Sequence, residues 1–247
     1  MIDLYYWPTP NGHKIPIMLE ECGLDYRVKA VNMLRGEQFK RAFLRINPNN
    51  KIPAIVDHDG PDGAPFSMFE SGAILQYLAE KTGQFMPREL RQRYLVIQWL
   101  TFQVASVGPM FGQCGHFLGY APRKIRYAID RYRNETLRLY GVMDRRLRAE
   151  RYLAGEYSID DIATWPWVRV RWLHHIELAE FPHVARWYAD IEARPAVQRG
   201  IAVLGKREKI GNPDPAAREA LFGRSQVLQK KRARPTPPKA RRVVARP

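Results

Sequence analysis

Every strand-like stretch in this 247-residue chain falls before Gly83; beyond it only helical spacing remains. A chain divided in this way cannot build one large sheet and is confined to a small α/β layer followed by an all-helical part. The first part opens with a strand at 2–5 and a Pro-punctuated turn, Trp7-Pro8-Thr9-Pro10-Asn11-Gly12. A helix follows, with Ile15, Ile17, Met18, Leu19 and Cys22 at helical spacing, and stops at Gly23. A second strand is predicted at 26–31, a short helix at 37–46 ended by Asn47-Pro48, a buried strand at 53–57 and its hairpin partner at 65–69. An amphipathic helix at 70–81 closes the series at Thr82-Gly83. The order βαβ-α-ββ-α predicts a thioredoxin-like layer of sheet and helices. The expected division is therefore a thioredoxin-like domain at 1–83, a linker at 84–87, an all-helical bundle domain at 88–204 and a basic, disordered tail at 205–247. Helices are expected at 88–113, 122–149, 158–176 and 181–200, the third opening with Ser158 and Asp161 at capping-box spacing.

Charge narrows the function classes once it is located. The net charge is +15, yet 224–247 holds nine lysines and arginines without an acidic residue, leaving +6 for residues 1–223. The tail has no aromatic interleaving and no recognition motif, so nucleic acid is not an expected partner and weak polyanion affinity is the most the tail suggests. Residues 94–122 contain no Asp, Glu, Lys or Arg, a length that could span a bilayer. Gln98, Gln103, Gln113, His116, Pro109 and several glycines argue instead for a helix buried between domains or subunits, and no membrane association is expected. Cys22 and Cys114 form no metal or redox pair, which predicts a reduced, cytoplasmic protein. None of the six histidines has metal-site spacing, and no glycine loop for phosphate appears, so neither a metal nor a nucleotide cofactor is expected.

Three loops of the first domain carry candidate chemistry. Thr9 and Asn11 stand where the first helix presents unpaired N–H groups and the positive end of its dipole; capping is the ordinary use of such residues. Ile52-Pro53 starts a strand. A trans bond is the commoner form, and a cis bond would leave the Ile52 backbone free to pair with an extended peptide. Ser71 opens the helix after Phe69-Glu70 and suits either a cap or a carboxylate, with Glu70 beside it for an ammonium group. Together the loops describe a site for a small, extended, zwitterionic peptide.

The segments NPNNKIPAIVD and FESGAILQYLAEKTG resemble the glutathione-binding half of the cytosolic glutathione transferases. The opening YWPTPNGHKIPIMLEECGLDY resembles their Nu class, the glutathione-dependent disulfide-bond oxidoreductases, and the likeness continues through QWLTFQVASVGPMFGQ, YAIDRYRNETLRLYGVMDRRL and YSIDDIATWPWV. The resemblance implies a homodimer with sites at the subunit interface and glutathione as co-substrate. It implies that Thr9 and Asn11 flank the sulfur, that Gln38, Lys51 and the Ile52 backbone bind the glycyl and cysteinyl portions, and that Glu70 and Ser71 hold the γ-glutamyl end. Arg131 matches a position from which the partner subunit reaches the ligand, and Gln103 borders the same cleft.

No cysteine occupies the opening turn, and strand alternation sends Tyr5 and Tyr6 to opposite faces ahead of it, as packing residues. The expected mechanism is disulfide reduction in which glutathione supplies the thiol and Thr9, Asn11 and the helix N-terminus stabilise its thiolate. Conjugation of electrophiles or reduction of organic hydroperoxides would use the same glutathione site, and a non-catalytic binding module is a third reading. Cys114 is either a small buried residue, the reading preferred here, or a partner in a mixed disulfide with glutathione. Cys22 belongs to the core.

Overall fold

The computed structural model describes residues 1–205 and 213–227. Four strands form one sheet in the order β2-β1-β3-β4: β1 Ile2–Tyr6, β2 Tyr26–Ala30, β3 Ala54–Asp57 and β4 Phe66–Phe69. β1 runs parallel to β2, with Leu4 opposite Val28, and antiparallel to β3, with Leu4 opposite Ile55. The β1–β2 crossover is α1, Pro10–Glu21, as a parallel pair requires. β3 and β4 form an antiparallel hairpin, after which α3, Ser71–Thr82, begins at once. The predicted thioredoxin-like layer is thus present.

The predicted helix at 37–46 is not one helix. A 3-10 turn at Glu37–Phe39 and a four-residue helix α2, Arg41–Leu44, are separated by Lys40, whose backbone is extended. That break lets Gln38 turn inward, where it is buried.

Beyond the linker the regular structure of the described residues is helical, apart from an isolated bridge between Tyr152 and Gly155. α4 (Leu90–Phe102), a π-helical turn Gln103–Val107, α5 (Gly108–Gly115) and a second π-helical turn His116–Tyr120 follow without interruption, so the helix predicted at 88–113 is longer than expected. By length and composition alone Leu90–Tyr120 could cross a membrane, but Val96, Leu100, Val107 and Phe111 on it are buried in the protein core. α6 (Arg126–Ala149) packs on α5, and α7 (Ile159–Arg169) packs on α1, α3 and α4. α7 ends seven residues short of its predicted limit and gives way to a 3-10 turn at Arg171–His174. The helix predicted at 181–200 is divided into α8, Pro182–Glu192, and α9, Pro195–Ala202. Pro195 disfavours the helical region for Arg194, which is extended.

One core joins the two parts: Leu4, Ile17 and Leu75 from the sheet layer belong to the same buried cluster as Phe111, Trp165 and Trp187 from the helices. α9 approaches α1 so closely that a Cβ at Gly200 would lie 2.7 Å from the backbone of Ile17. The helical part therefore braces α1, whose N-terminus lies at the cleft.

The tail differs most from expectation. Residues 215–222 form α10, Pro215–Phe222, capped by Asp214, whose carboxylate accepts from Ala217 N–H at 2.7 Å. The proline-rich basic stretch at 234–239 lies outside the described residues.

Candidate functional site

The opening turn places Thr9 at the N-cap of α1, where its hydroxyl oxygen accepts from Gly12 N–H at 3.0 Å. That oxygen accepts, so the hydroxyl proton is free for another acceptor. A Cβ at Gly12 would sit 2.1 Å from the Trp7 carbonyl, so glycine is needed for the turn to close. Asn11 does not cap. Its Oδ1 accepts from the indole N–H of Trp167 on α7 at 3.0 Å, leaving the Nδ2 donors unclaimed at the same corner. Of the two residues only Thr9 caps the helix.

The second loop carries a cis Ile52–Pro53 bond, the less common of the two forms open to the sequence. Sheet pairing in β3 begins at Ala54, so the Ile52 backbone lies outside the ladder. At the third loop Glu70 adopts φ 68°, a left-handed value that costs a non-glycine residue of order 1–3 kcal/mol. Its carboxylate accepts from Asn49 Nδ2 at 3.2 Å, and Ser71 follows as the first residue of α3.

Thr9, Asn11, Gln38, Lys51, Ile52, Glu70, Ser71 and Gln103 all line one cavity of about 810 Å³. Two residues outside the sequence-based set join them, Lys14 and Trp167. Lys14 is fully buried, and its ammonium donates to Gln103 Oε1 at 2.7 Å and to Ser71 Oγ at 3.2 Å. Burial pulls its pKa down to about 7, with the Glu70 carboxylate acting in the opposite direction. A lysine inside a helix reads as a solvated charge, so the only sequence signal is its position on the apolar side, between His13 and Ile15. Trp167 packs over α5 at Gly108 and Gly112, where a Cβ would lie 3.3 to 3.6 Å from the indole.

α10 and the turn after it, absent from the sequence-based set, form another wall. Leu221, Phe222 and Gln226 line the cavity, and the Phe222 ring lies 4.8 Å from His116 and 5.7 Å from Tyr120. Gln38 Nε2 donates to the Ala220 carbonyl at 3.2 Å, and Lys51 Nζ donates to Gln226 Oε1 at 2.9 Å. Arg218 anchors the segment on the Tyr120 carbonyl at 2.8 Å.

Other predicted residues are not brought to this cavity. Arg131 is exposed on α6, lies 3.9 Å from Glu135 and is not among the residues lining its own chain's cavity. Cys114 is buried, absent from the lining, and its thiol is pushed up by burial. Cys22 faces Thr82 at 3.6 Å, and burial raises its pKa as well. Tyr6 is buried with its hydroxyl 3.0 Å from His13 Nδ1, and Tyr5 packs on Phe43; neither reaches the cavity.

Residues 1–80 match the model of the glutathione S-transferase N-terminal domain. The chain is 55% identical over 203 residues to the disulfide-bond oxidoreductase YfcG of Escherichia coli, covering 81% of this chain and 94% of that protein. A glutathione transferase of Burkholderia graminis, solved with two glutathione molecules per subunit, superimposes with a TM-score of 0.79 at 46% identity, over 83% of this chain and 89% of that one. A Pseudomonas putida glutathione transferase with one glutathione disulfide per subunit gives a TM-score of 0.79 at 47% identity, over 83% and 92%. On that sequence identity, and with the sheet layer and helical domain both present, this chain belongs to the glutathione S-transferase family.

Proposed function

We propose that the protein is a glutathione-dependent disulfide reductase in which glutathione, and no protein cysteine, is the reacting thiol. One observation carries the reading: the cavity that gathers Thr9, Asn11, Lys51, Ile52, Glu70 and Ser71 has no cysteine among the described residues of its walls. The Nδ2 donors of Asn11, the free proton of Thr9 and the N-terminus of α1 converge on one corner, and together they favour a thiolate over a thiol. The first glutathione thiolate attacks the substrate disulfide, forms a mixed disulfide and expels a substrate thiolate. A second glutathione thiolate attacks the glutathione sulfur of that mixed disulfide. Glutathione disulfide forms, the other substrate sulfur leaves, and each departing thiolate takes up a proton. The disulfide-bond oxidoreductase name of the Escherichia coli relative, and the two glutathiones or one glutathione disulfide in the bacterial structures, support this sequence.

The exposed Arg131 supports the partner-subunit role and with it a homodimer, residues 1–83 and 88–204 are the two domains that hold the cleft between them, and the cytoplasm supplies the reduced glutathione the reaction needs. Conjugation of electrophiles is the second reading, favoured by the apolar wall of Val104, Pro109 and Phe222 in the same cavity. Parallel assays with a small disulfide and an aromatic halide separate the two.

The test of the main reading is a Cys22→Ser, Cys114→Ser double variant assayed with glutathione and a small disulfide. Turnover within about twofold of the parent is expected, because neither Cys22 nor Cys114 lines the cavity. Loss of turnover in a folded double variant would move the chemistry to a protein thiol.

The docking of the tail carries a second expected result. Gln38 and Lys51, two of the groups assigned to the glycyl and cysteinyl portions, are bound to Ala220 and Gln226. Ending the chain at Gly205 releases both, and each net hydrogen bond is of order 1 kcal/mol. Glutathione is expected to bind the shortened protein up to about 30-fold more tightly, measured as the dissociation constant by titration calorimetry.

A further inference from the structure

Lys14 is a buried ammonium among neutral partners. Its two acceptors, Gln103 Oε1 and Ser71 Oγ, satisfy hydrogen bonds and leave the charge uncompensated. Among the described residues no ion pair reaches it, and Glu70, the acidic group that acts on it, accepts a hydrogen bond from Asn49. A buried charge is costly unless an opposite charge joins it. The position borders the cavity, so a ligand can bring that charge.

The lysine also sets the polarity of its neighbours. Since Ser71 Oγ accepts from Lys14, the Ser71 proton is free to donate elsewhere. Since Gln103 turns Oε1 to Lys14, its Nε2 faces the other way, where it is buried without a partner. The N-terminus of α3 adds its unpaired N–H groups at Ser71. The corner is therefore a cation beside the Ser71 hydroxyl and the N-terminus of α3, which suits a carboxylate and repels an ammonium.

We infer that Lys14 is the counter-cation for the α-carboxylate of the γ-glutamyl group, gripping it together with Ser71. The inference rests on the glutathione reading above and names a binding residue for it. Glu70, next to Ser71 in the chain and also on the cavity wall, is left for the ligand's amine.

The test compares glutathione with its γ-aminobutyryl analogue, which lacks only the α-carboxylate, by titration calorimetry on the full chain. In the parent, removing the carboxylate is expected to weaken binding at least about 30-fold, as loss of one partner of a buried charge pair does. Lys14→Met is expected to weaken glutathione by a similar factor and to leave the analogue within about threefold of its parent affinity. Lys14→Gln, which keeps a donor without the charge, is the second variant, and it should behave like Lys14→Met. Equal weakening of both peptides by either variant, or no weakening of glutathione, overturns the assignment. A parent protein that binds neither peptide overturns the glutathione reading itself and the lysine assignment with it.

Discussion

Replacing Asn11 with alanine is expected to lower disulfide reduction by about tenfold or more, the fall in thiolate fraction that follows when a stabilising donor is removed from the resting anion. The direction follows from the side chain's orientation. The indole of Trp167 holds Asn11 Oδ1 at 3.0 Å, so the amide can offer only N–H groups at the mouth of α1. A thiolate placed there receives charge-assisted hydrogen bonds and the field of the helix. Without the amide, the bound thiol's pKa should rise by about one unit or more, since one unit corresponds to about 1.4 kcal/mol of anion stabilisation. The ultraviolet absorbance of the thiolate, followed against pH, reads that shift directly. Asn11→Asp is the informative control. It keeps an acceptor for Trp167 but sets a negative charge beside the sulfur, so it should be at least as slow as alanine. Trp167→Phe removes the orienting N–H and keeps the ring, and about a tenfold loss is expected from a donor left free to turn. Unchanged turnover in the alanine variant, with glutathione still bound, would sink the thiolate site.

The three loops are legible in the sequence because each is a junction where local rules are strong. A strand runs into a proline turn at Thr9, a strand starts directly after Pro53, and a strand becomes a helix at Ser71. Such points combine turn chemistry with unpaired helix N–H groups, and those depend on sequence neighbours alone. Gln103 and Gln38 need more. Gln103 opens a π-helical turn, and Gln38 sits in a 3-10 turn beside an extended Lys40, departures from helical spacing that apolar periodicity does not encode. Pro109 lies inside the helix predicted at 88–113, and the chain stays helical through it directly after the π-helical turn Gln103–Val107.

The tail departs from its sequence reading for a different reason. Asp214-Pro215 ahead of Ala216-Ala217 is an ordinary N-cap and first-turn proline, visible in the sequence and outweighed by the charge run after it. No local rule shows that α10 docks against Gln38 and Lys51, because those contacts span more than 170 residues. Trp167 and Lys14 share that limit. Each acts through a partner on another element, Asn11 in one case and Gln103 in the other.

Asp161→Ala is expected to be the most damaging single change to stability, and its effect should reach the cleft. The Asp161 carboxylate is fully buried at the start of α7 and takes three N–H donors. Trp187 Nε1 lies 2.7 Å and Leu153 N 3.1 Å from Oδ1, and Ser158 N lies 3.2 Å from Oδ2, the return bond of a capping box. Alanine strands all three donors in the core at about 1–3 kcal/mol each, so a loss of roughly 3–5 kcal/mol is expected. For a chain of this size that is a fall in Tm of roughly 10 °C. Asp160 moderates the figure. Burial and the adjacent Asp161 charge push its carboxyl well up, so removing Asp161 also removes a repulsion. Asp161→Asn keeps an oxygen for Trp187 and Leu153 but turns an N–H₂ toward Ser158, and it should fall between parent and alanine. α7 carries Trp167 six residues beyond Asp161, so a loosened helix start frees the indole that orients Asn11. In the alanine variant, held below its Tm, turnover should drop further than glutathione affinity, whereas a cap with no connection to the site would leave both unchanged in the folded fraction. Thermal unfolding followed by calorimetry, beside kcat and KM at a temperature where the variant is folded, separates the two.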